Sequence, residues 1–423
     1  MTTLITTIGN TEYTETTYCF SDQSCYRTCY VAEAIACIKN VDQVVFLMTE
    51  QACAKHWEKL QERFHSLEPV ISITKRDIPD GKNETETWQI FDALVDTVPA
   101  NSQVIFDITH AFRSIPLFVL LAALLLRKAK QVEIQGLYYG MYQKNEIETP
   151  IIDLTPAVRL IDWLTATDKF ISTGSAVELG GLLRTVHQDF YRSQKLIKDV
   201  HKPTKLQNFG RAIQDVSRSI ELIRPVHLLR EDLPKLIKHS TPELEQEIGV
   251  FSKPFGLMLE QVRQSYIPLA LSHANASAME QIYKQFLLLQ WYVEKQFTIH
   301  ALLMAREWVV SALCLLDGRE DYRKREHREQ IENQLNAIRF GKYHPGSNLT
   351  ITTHITDVKT LVDFWSRLGD YRNDIAHVQM NESPLDSQVL ERFALNELIP
   401  TLQSLFPSLT QLPELEVVNS NRC

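Results

Sequence analysis

The sequence predicts an α/β amino-terminal domain with a Rossmann-like, mostly parallel sheet, followed by an all-α domain. Short β-branched or apolar runs alternate with helix-length segments as far as residue 158, a pattern typical of crossover units. From residue 159 onward the apolar residues recur at helical spacing, and strand patterns nearly vanish. A chain of 423 residues is also too long for one hydrophobic core.

Five strands are predicted in the first domain from short apolar runs, at 4–8, 41–48, 70–74, 104–108 and 132–139. Four helix-length segments accompany them, at 24–40, 50–67, 84–98 and 112–130. Two strand-like pieces, 139–143 and 146–154, predict a closing hairpin. The stretch 115–126 is apolar all round, so we expect it to be buried or to lie in a subunit interface.

We divide the chain into three parts: 1–158, the α/β domain; 159–268, a helical connector; and 269–423, the main helical domain. Six prolines predict short helices in the connector, because proline interrupts a helix: Pro203, Pro225, Pro234, Pro242, Pro254 and Pro268.

Composition excludes several classes of protein. With 44% apolar and 23% charged residues, the chain has the composition of an ordinary globular protein. A net charge of −8, of which residues 1–158 carry −7, argues against a sequence-blind nucleic-acid coat. The number of cysteines is odd, and the chain has no C-x-x-C pair, so neither a disulfide framework nor a zinc ribbon is indicated. We expect reduced cysteines, no metal and a cytoplasmic protein, since no basic region precedes an apolar run.

The segment Asp107-Ile-Thr-His-Ala-Phe-Arg-Ser114 follows a predicted strand and leads into a helix. In an open α/β sheet, ligands bind beyond the carboxyl ends of the strands, where helix N-termini favour phosphate. Thr109, His110, Arg113 and Ser114 add hydrogen-bond donors at that position. An acidic domain can therefore bind phosphates locally.

The first strand ends in Thr7-Ile-Gly-Asn-Thr-Glu-Tyr13. Gly9 and Asn10 suit a tight turn, and Tyr13 could stack on a base. The structural alternative is that Asp107 and Thr109 only cap a helix and that Gly9-Asn10 is only a turn.

The second motif is Tyr371-Arg-Asn-Asp-Ile-Ala-His377, late in the helical half. On a helix Asn373 and His377 share a face, whereas Arg372 lies about 140° away from His377. Histidine suits proton transfer near neutrality, and arginine stabilises charge on a phosphoryl group. Together they suit RNA cleavage by the substrate's own 2′-hydroxyl. An arginine on a helix surface and a structural histidine are the alternative, and the chain repeats the same spacing at Arg339 and His344.

The two motifs together resemble a known family. Arg372-Asn373-x-x-x-His377 resembles the R-N-x-x-x-H motif of HEPN ribonucleases, and the segments ending at Tyr13 and Ser114 resemble the ligand-binding segments of CARF domains. The pairing is similar to CRISPR-associated CARF–HEPN ribonucleases of type III systems. Ala111 departs from the pattern, because relatives often carry glycine there.

The resemblance implies a homodimer or higher oligomer that binds a cyclic oligoadenylate, usually cyclic tetra-adenylate, and then cleaves single-stranded RNA without a metal. It implies Arg372, Asn373 and His377 as catalytic residues at a HEPN dimer interface. It implies ligand contacts in the CARF domain from Gly9, Asn10, Thr11, Tyr13, Asp107, Thr109, His110, Arg113 and Ser114.

Two other functions compete with this one. A CARF sensor whose helical half only transmits or scaffolds is the main alternative, and the Arg372/His377 pair favours the enzyme. A metal-dependent DNase of the restriction type usually needs an E-x-K element, which the chain lacks. Hydrolysis of the cyclic ligand by the CARF domain itself is left open.

Overall fold

The computed structural model describes residues 1–67, 71–110, 115–144, 146–193, 203–341, 351–380 and 382–411. It divides the chain into two compact units, Met1–Asp162 and Trp163–Cys423. The three domains drawn from the sequence, 1–158, 159–268 and 269–423, stay a prediction.

The first unit contains eight strands and four complete helices among its described residues. The strands are β1 (Thr2–Ile8), β2 (Thr16–Cys19), β3 (Cys25–Thr28), β4 (Gln43–Met48), β5 (Ser72–Asp77), β6 (Gln103–Asp107), β7 (Glu133–Gly140) and β8 (Glu148–Asp153). The helices are α1 (Val31–Lys39), α2 (Glu50–His65), α3 (Glu84–Thr97) and α4 (Ile115–Ala129).

All eight strands form one sheet in the order β3-β2-β8-β7-β6-β1-β4-β5. The strands β7, β6, β1, β4 and β5 are parallel, and β8 closes against β7 antiparallel, as the predicted hairpin requires. Successive residues of β1 face opposite cores: Leu4 packs with α1 and α2, and Ile5 packs with α3 and α4. The predicted Rossmann-like, mostly parallel sheet is confirmed.

The hairpin of β2 and β3 is absent from the sequence prediction, which began a helix at residue 24. Residues 25–28 instead pair antiparallel with 16–19, and α1 begins only at Val31. A turn explains the difference: Gln23 has a φ of 65°, and the Asp22 carboxylate accepts the Ser24 amide at 3.0 Å. The β-branched and aromatic residues on either side then favour strands.

The same hairpin corrects the expectation that all cysteines are reduced. Cys19 and Cys25 are directly opposite each other in the β2–β3 ladder, and they form a disulfide. The expectation was wrong because cross-strand neighbours come within bonding distance without any C-x-x-C spacing. Within the part of the chain that the structure describes, Cys29, Cys37, Cys53 and Cys314 are free.

The second unit is helical throughout its described residues, which confirms the all-α prediction. Its helices are α5 (Thr155–Thr173), which begins in the first unit, then α6 (Val177–Ser193), α7 (Thr204–Glu221), α8 (Pro225–His227), α9 (Leu233–His239), α10 (Pro242–Phe251), α11 (Lys253–Tyr266), α12 (Ala278–Glu294), α13 (Thr298–Leu316), α14 (Arg325–Arg339), α15 (Ile351–His354), α16 (Val358–Ala376), α17 (Ser387–Phe393), α18 (Ile399–Leu405) and α19 (Pro407–Thr410). Helices α8, α9, α10 and α11 begin at or beside prolines that predicted short helices in this region.

Helix α13 forms the centre of this unit. The Trp308 indole donates to the Ile282 carbonyl at 2.9 Å, which joins α13 to α12. On the other side, the Arg306 guanidinium stacks on Trp365 of α16 at 4.5 Å. Within the described part of the chain, α13 is the one helix with the length and apolar composition to cross a membrane, but 61% of it is buried inside the protein.

Candidate functional site

The sheet topology brings the two amino-terminal motifs together. Strand β1 lies between β4 and β6, so the chain continues to one side through β4 and β5 and to the other through β6 and β7. Where the strand order changes direction in this way, a crevice opens beyond the carboxyl ends of the strands. Residues 9–13 follow β1 at this edge, and Thr109 and His110 follow β6.

Asp107 holds the two loops in place. Its carboxylate is buried, and it accepts the Thr6 hydroxyl at 2.6 Å and the Thr109 amide and hydroxyl at 3.0 and 2.5 Å. The Thr109 hydroxyl oxygen accepts the Gly140 amide at 2.8 Å. This chain of bonds connects the ends of β1, β6 and β7, so Asp107 positions Thr109 from behind the crevice.

Tyr13 lies at the centre of an aromatic group. Its hydroxyl accepts the Gly9 amide at 2.8 Å and donates to the Gly9 carbonyl at 3.3 Å, which closes the turn after β1. Its ring contacts His110 at 4.2 Å and His56 at 5.0 Å, measured between ring centroids. Tyr13 therefore fixes the backbone at Gly9, and its side chain also borders the crevice.

The crevice is a cleft of about 280 Å³, which we call the β1–β6 cleft. Four predicted ligand residues lie on its wall: Thr11, Tyr13, Thr109 and His110. Three others, Gly9, Asn10 and Asp107, lie outside that wall; the Asn10 side chain donates to Gln51 at 3.0 Å. Arg113 and Ser114, with Ala111, lie outside the described residues.

The rest of the wall was not among the predicted site residues: Glu12, Thr14, Tyr18, Tyr139, Gly140 and Tyr142. Alternation along β7 was the available signal, because it buries Tyr138 and leaves Tyr139 39% exposed at the cleft. Gly140 is required by space, since a Cβ there would lie 2.9 Å from Val31 Cγ2 and 3.3 Å from the Thr109 hydroxyl.

Burial affects two histidine rings beside the cleft. Burial lowers the pKa of His110, although the nearby Asp107 opposes this shift. Burial also lowers the pKa of His56, whose Nε2 lies 2.9 Å from the Thr11 carbonyl. Both rings are therefore neutral at pH 7. The His110 Nε2 is buried and has no hydrogen-bond partner among the described residues, which leaves one polar atom of the cleft region free.

The second motif lies at the carboxyl end of α16. Leu361, Phe364, Trp365 and Leu368 are buried, as the predicted helical spacing requires. Arg372, Asn373 and His377 are exposed, and His377 caps the helix. The Arg372 guanidinium donates to the Asn373 side-chain oxygen at 3.0 Å, so it reaches around toward the face that Asn373 shares with His377.

Neither side chain is committed to a structural role. Within the described residues the His377 imidazole makes no hydrogen bond, and Arg372 has no carboxylate within ion-pair distance. Arg339, with the same spacing to His344, instead pairs with Asp370 at 3.4 Å, and His344 lies outside the described residues. No group of three or more potential metal ligands occurs among the residues that the structure describes.

Three comparisons relate this chain to known proteins. Residues 3–143 match the family model "CRISPR system endoribonuclease Csx1, CARF domain". The CRISPR-associated protein MJ1674 of Methanocaldococcus jannaschii is 27% identical over 178 residues, which are 40% of this chain and 26% of that protein. Csm6 of Enterococcus italicus bound to cyclic hexa-2′-fluoro-hexa-dAMP has a TM-score of 0.42 and 13% identity, covering 97% of this chain and 94% of that one.

The region matched to the CARF family model contains both loops that border the β1–β6 cleft. The matched CARF model is of the Csx1 kind. The match to MJ1674 spans about a quarter of that relative's length.

Proposed function

We propose that this protein is a metal-independent endoribonuclease for single-stranded RNA, activated by a cyclic oligoadenylate in type III CRISPR antiviral defence. One observation carries the catalytic part of the proposal. An arginine and a histidine are both exposed at one helix end, with neither engaged by the fold, in a chain whose first unit is a CARF domain.

Each proposed catalytic residue has a role that fits its placement. Arg372 would stabilise the negative charge that develops on the scissile phosphate. His377 is exposed and would transfer the proton of the attacking 2′-hydroxyl or of the leaving oxygen. Asn373 already accepts the Arg372 guanidinium, so it would orient that group relative to His377. These roles correspond to a HEPN active site and need no metal ion.

The β1–β6 cleft supports the proposed ligand. Its wall combines aromatic rings, Tyr13 and Tyr139, with the hydroxyls of Thr11 and Thr109, which suits stacking and hydrogen bonding to adenine nucleotides. A cleft of about 280 Å³ lies at the lower end of ligand-site volumes, so one copy would hold only part of a cyclic oligonucleotide. Gly9, Asn10, Asp107, Arg113 and Ser114 would complete or support this site.

A leucine stripe on α4 supports a homodimer. Leu117, Leu121 and Leu125 recur every fourth residue, so they share one helix face, and they are 61%, 47% and 44% exposed. Such a stripe favours contact with another apolar surface. We propose that two copies meet along it, so that a two-fold ligand meets the same residues twice and two HEPN domains complete one composite active site.

The direct test is cleavage of a fluorescent single-stranded RNA, with cyclic tri-, tetra- and hexa-adenylate added separately. We expect one of the three ligands to activate RNA cleavage, and the family resemblance favours the tetra-adenylate. This cleavage should persist in EDTA. Arg372→Ala and His377→Ala should each reduce the rate by about 10²-fold or more. Arg325→Ala is the matched control, because the exposed Arg325 has Glu329 of its own helix as its one ion-pair partner among the described residues.

Two results would contradict the proposal. Cleavage that survives in both Arg372→Ala and His377→Ala would remove these residues from the active site. Ligand binding without any RNA cleavage would support the non-catalytic sensor instead. For the ligand site, Arg113→Ala should weaken binding by about 1.5–3 kcal/mol, the value of one charged hydrogen bond; unchanged affinity would exclude Arg113.

A further inference from the structure

A second cleft begins where the Arg372–His377 motif ends. It has a volume of about 400 Å³, and we call it the α16 cleft. Residues from three helices and one loop line it: Thr298, Ile299, Asp374, Ile375, Val378, Gln379, Ser387, Leu390 and Glu391. Val378 directly follows His377, and Asp374 and Ile375 lie on the same helical turn as the motif, so the cleft and the proposed active site are adjacent.

The rim of this cleft is held in a special backbone conformation. Val378 and Gln379 have φ values of 51° and 62°, a left-handed geometry that β-branched residues rarely adopt. Asp374 fixes the turn, because its carbonyl accepts the Gln379 amide at 3.3 Å and its carboxylate accepts the Leu385 amide at 3.2 Å. The Gln379 side chain also donates to the Leu385 carbonyl at 3.2 Å. The rim is therefore formed before any ligand arrives.

The cleft has aliphatic walls, and its polar lining combines the carboxylates of Asp374 and Glu391 with the hydroxyls of Thr298 and Ser387 and the Gln379 amide. Ile299, Ile375, Val378 and Leu390 supply the walls, and Ile299 and Val378 are 52% and 73% exposed. Glu391 is exposed at the edge, and none of the charged groups in the described residues forms an ion pair with it. The described lining residues include no lysine or arginine, so the cleft itself is unsuited to phosphate.

We infer that the α16 cleft binds a base of the RNA next to the scissile phosphate, and that Glu391 selects guanine. The inference rests on the proposed ribonuclease activity and adds a specificity determinant to it. A planar base suits an aliphatic slot, and a nucleotide whose phosphate contacts Arg372 carries its base within reach of the neighbouring residues. Guanine presents two adjacent N–H donors, N1–H and the N2 amino group, and a carboxylate offers two matching acceptors.

The other bases match this rim less well. Adenine and cytosine offer a single amino group beside an acceptor nitrogen, which would face the carboxylate unfavourably, and uracil offers one N–H between two carbonyls. An unpaired acceptor pressed against a carboxylate loses both the hydrogen bond and its hydration. The Glu391 carboxylate accepts hydrogen bonds and donates none, so it favours guanine over the other three bases.

The test uses short RNAs with 2′-O-methyl groups at all linkages but one, so that only one phosphate can be cleaved. The four bases are varied in turn on either side of that linkage, in the presence of the activating cyclic oligoadenylate. We expect guanine at one of the two positions to raise kcat/KM by roughly tenfold or more, the discrimination of one good bidentate base contact. In Glu391→Gln this preference should fall below about threefold, while cleavage of the other bases changes little. Glu294→Gln, another exposed glutamate, is the matched control.

A binding measurement separates the base contact from catalysis. A fully 2′-O-methylated RNA lacks the attacking hydroxyl, so it binds without reacting. At the preferred position it carries thienoguanine, a fluorescent guanine analogue that keeps both N1–H and the 2-amino group. Its fluorescence should change on binding to the wild-type protein and to Val250→Asn, an exposed valine outside the cleft, but much less with Ile299→Asn.

Each failure has a distinct signature. Cleavage without base preference, or with a preference that Glu391→Gln leaves intact, overturns the base site and leaves the ribonuclease proposal standing. Absence of RNA cleavage under every activator overturns both. If Ile299→Asn converts a dimer to monomers in sedimentation and lowers cleavage of all four RNAs equally, the cleft is a contact between copies of the chain, and the base site is overturned.

Discussion

The buried carboxylate of Asp107 offers a prediction whose size follows from its contacts. Replacement by alanine leaves three donors without their acceptor: the Thr6 hydroxyl, the Thr109 hydroxyl and the Thr109 amide. A buried donor without a partner costs about 1–3 kcal/mol, and the two hydroxyls can rotate toward other acceptors, so we expect Asp107→Ala to destabilise the first unit by about 3 kcal/mol. Asp107→Asn keeps one acceptor for Thr109 and should cost about half as much.

Hydrogen exchange of amides in β6 and β7 is the appropriate assay, because two units need not unfold as one transition. In Asp107→Ala, the protection of amides from hydrogen exchange should fall in both β6 and β7, because the Thr109 hydroxyl also accepts the Gly140 amide of β7. Thr6→Val removes one donor together with its need for a partner and should cost about 1 kcal/mol. The reasoning is refuted if Asp107→Ala costs less than Thr6→Val, or if the loss of protection stays within β6.

Three further predictions concern the first unit. The free energy of unfolding should fall as pH decreases below about 6.5. Burial lowers the pKa of His110 in the folded protein, so the unfolded chain binds the proton at a higher pH. Measured by urea unfolding from pH 8 to 5, the stability of His110→Gln should depend less on pH than that of the wild type. Arg63→Ala should cost about 3–5 kcal/mol, because the buried Glu33 carboxylate loses a partner at 2.7 Å, and a thermal shift no larger than that of an exposed arginine would contradict this. Gly140→Ala should weaken binding of a cyclic oligoadenylate by calorimetry, because its Cβ would meet Val31 at 2.9 Å beside the cleft; unchanged affinity would show that the cleft wall is not used.

Much of the fold could be predicted from the sequence because periodicity is a local property. Five apolar runs gave the parallel strands, and the shift to helical spacing after residue 158 gave the second unit. The β2–β3 hairpin was missed because each of its strands has four residues, too few for a periodic pattern. The predicted helix was also started too early, at residue 24, directly after the turn that contains Asp22.

The candidate ligand site also combines residues that sequence motifs identified with residues that only the fold brought to the cleft. The order of β1 and β6 in the sheet placed Tyr13 beside His110, since carboxyl ends of neighbouring parallel strands meet at one edge. The contributions of Tyr18 and Tyr142 came from β2 and the segment after β7, which no motif connects to the others.

What the sequence determined by itself is chemistry of short range: strand and helix periods, the turn residues, and an arginine and a histidine five positions apart. Only the tertiary structure decided which of these groups are engaged. It showed Asp107 occupied by Thr6 and Thr109, Cys19 bonded to Cys25, and His377 without a structural partner among the described residues. The physical reason is that hydrogen bonds and disulfides join residues far apart in the chain, and their formation depends on packing that no local pattern specifies.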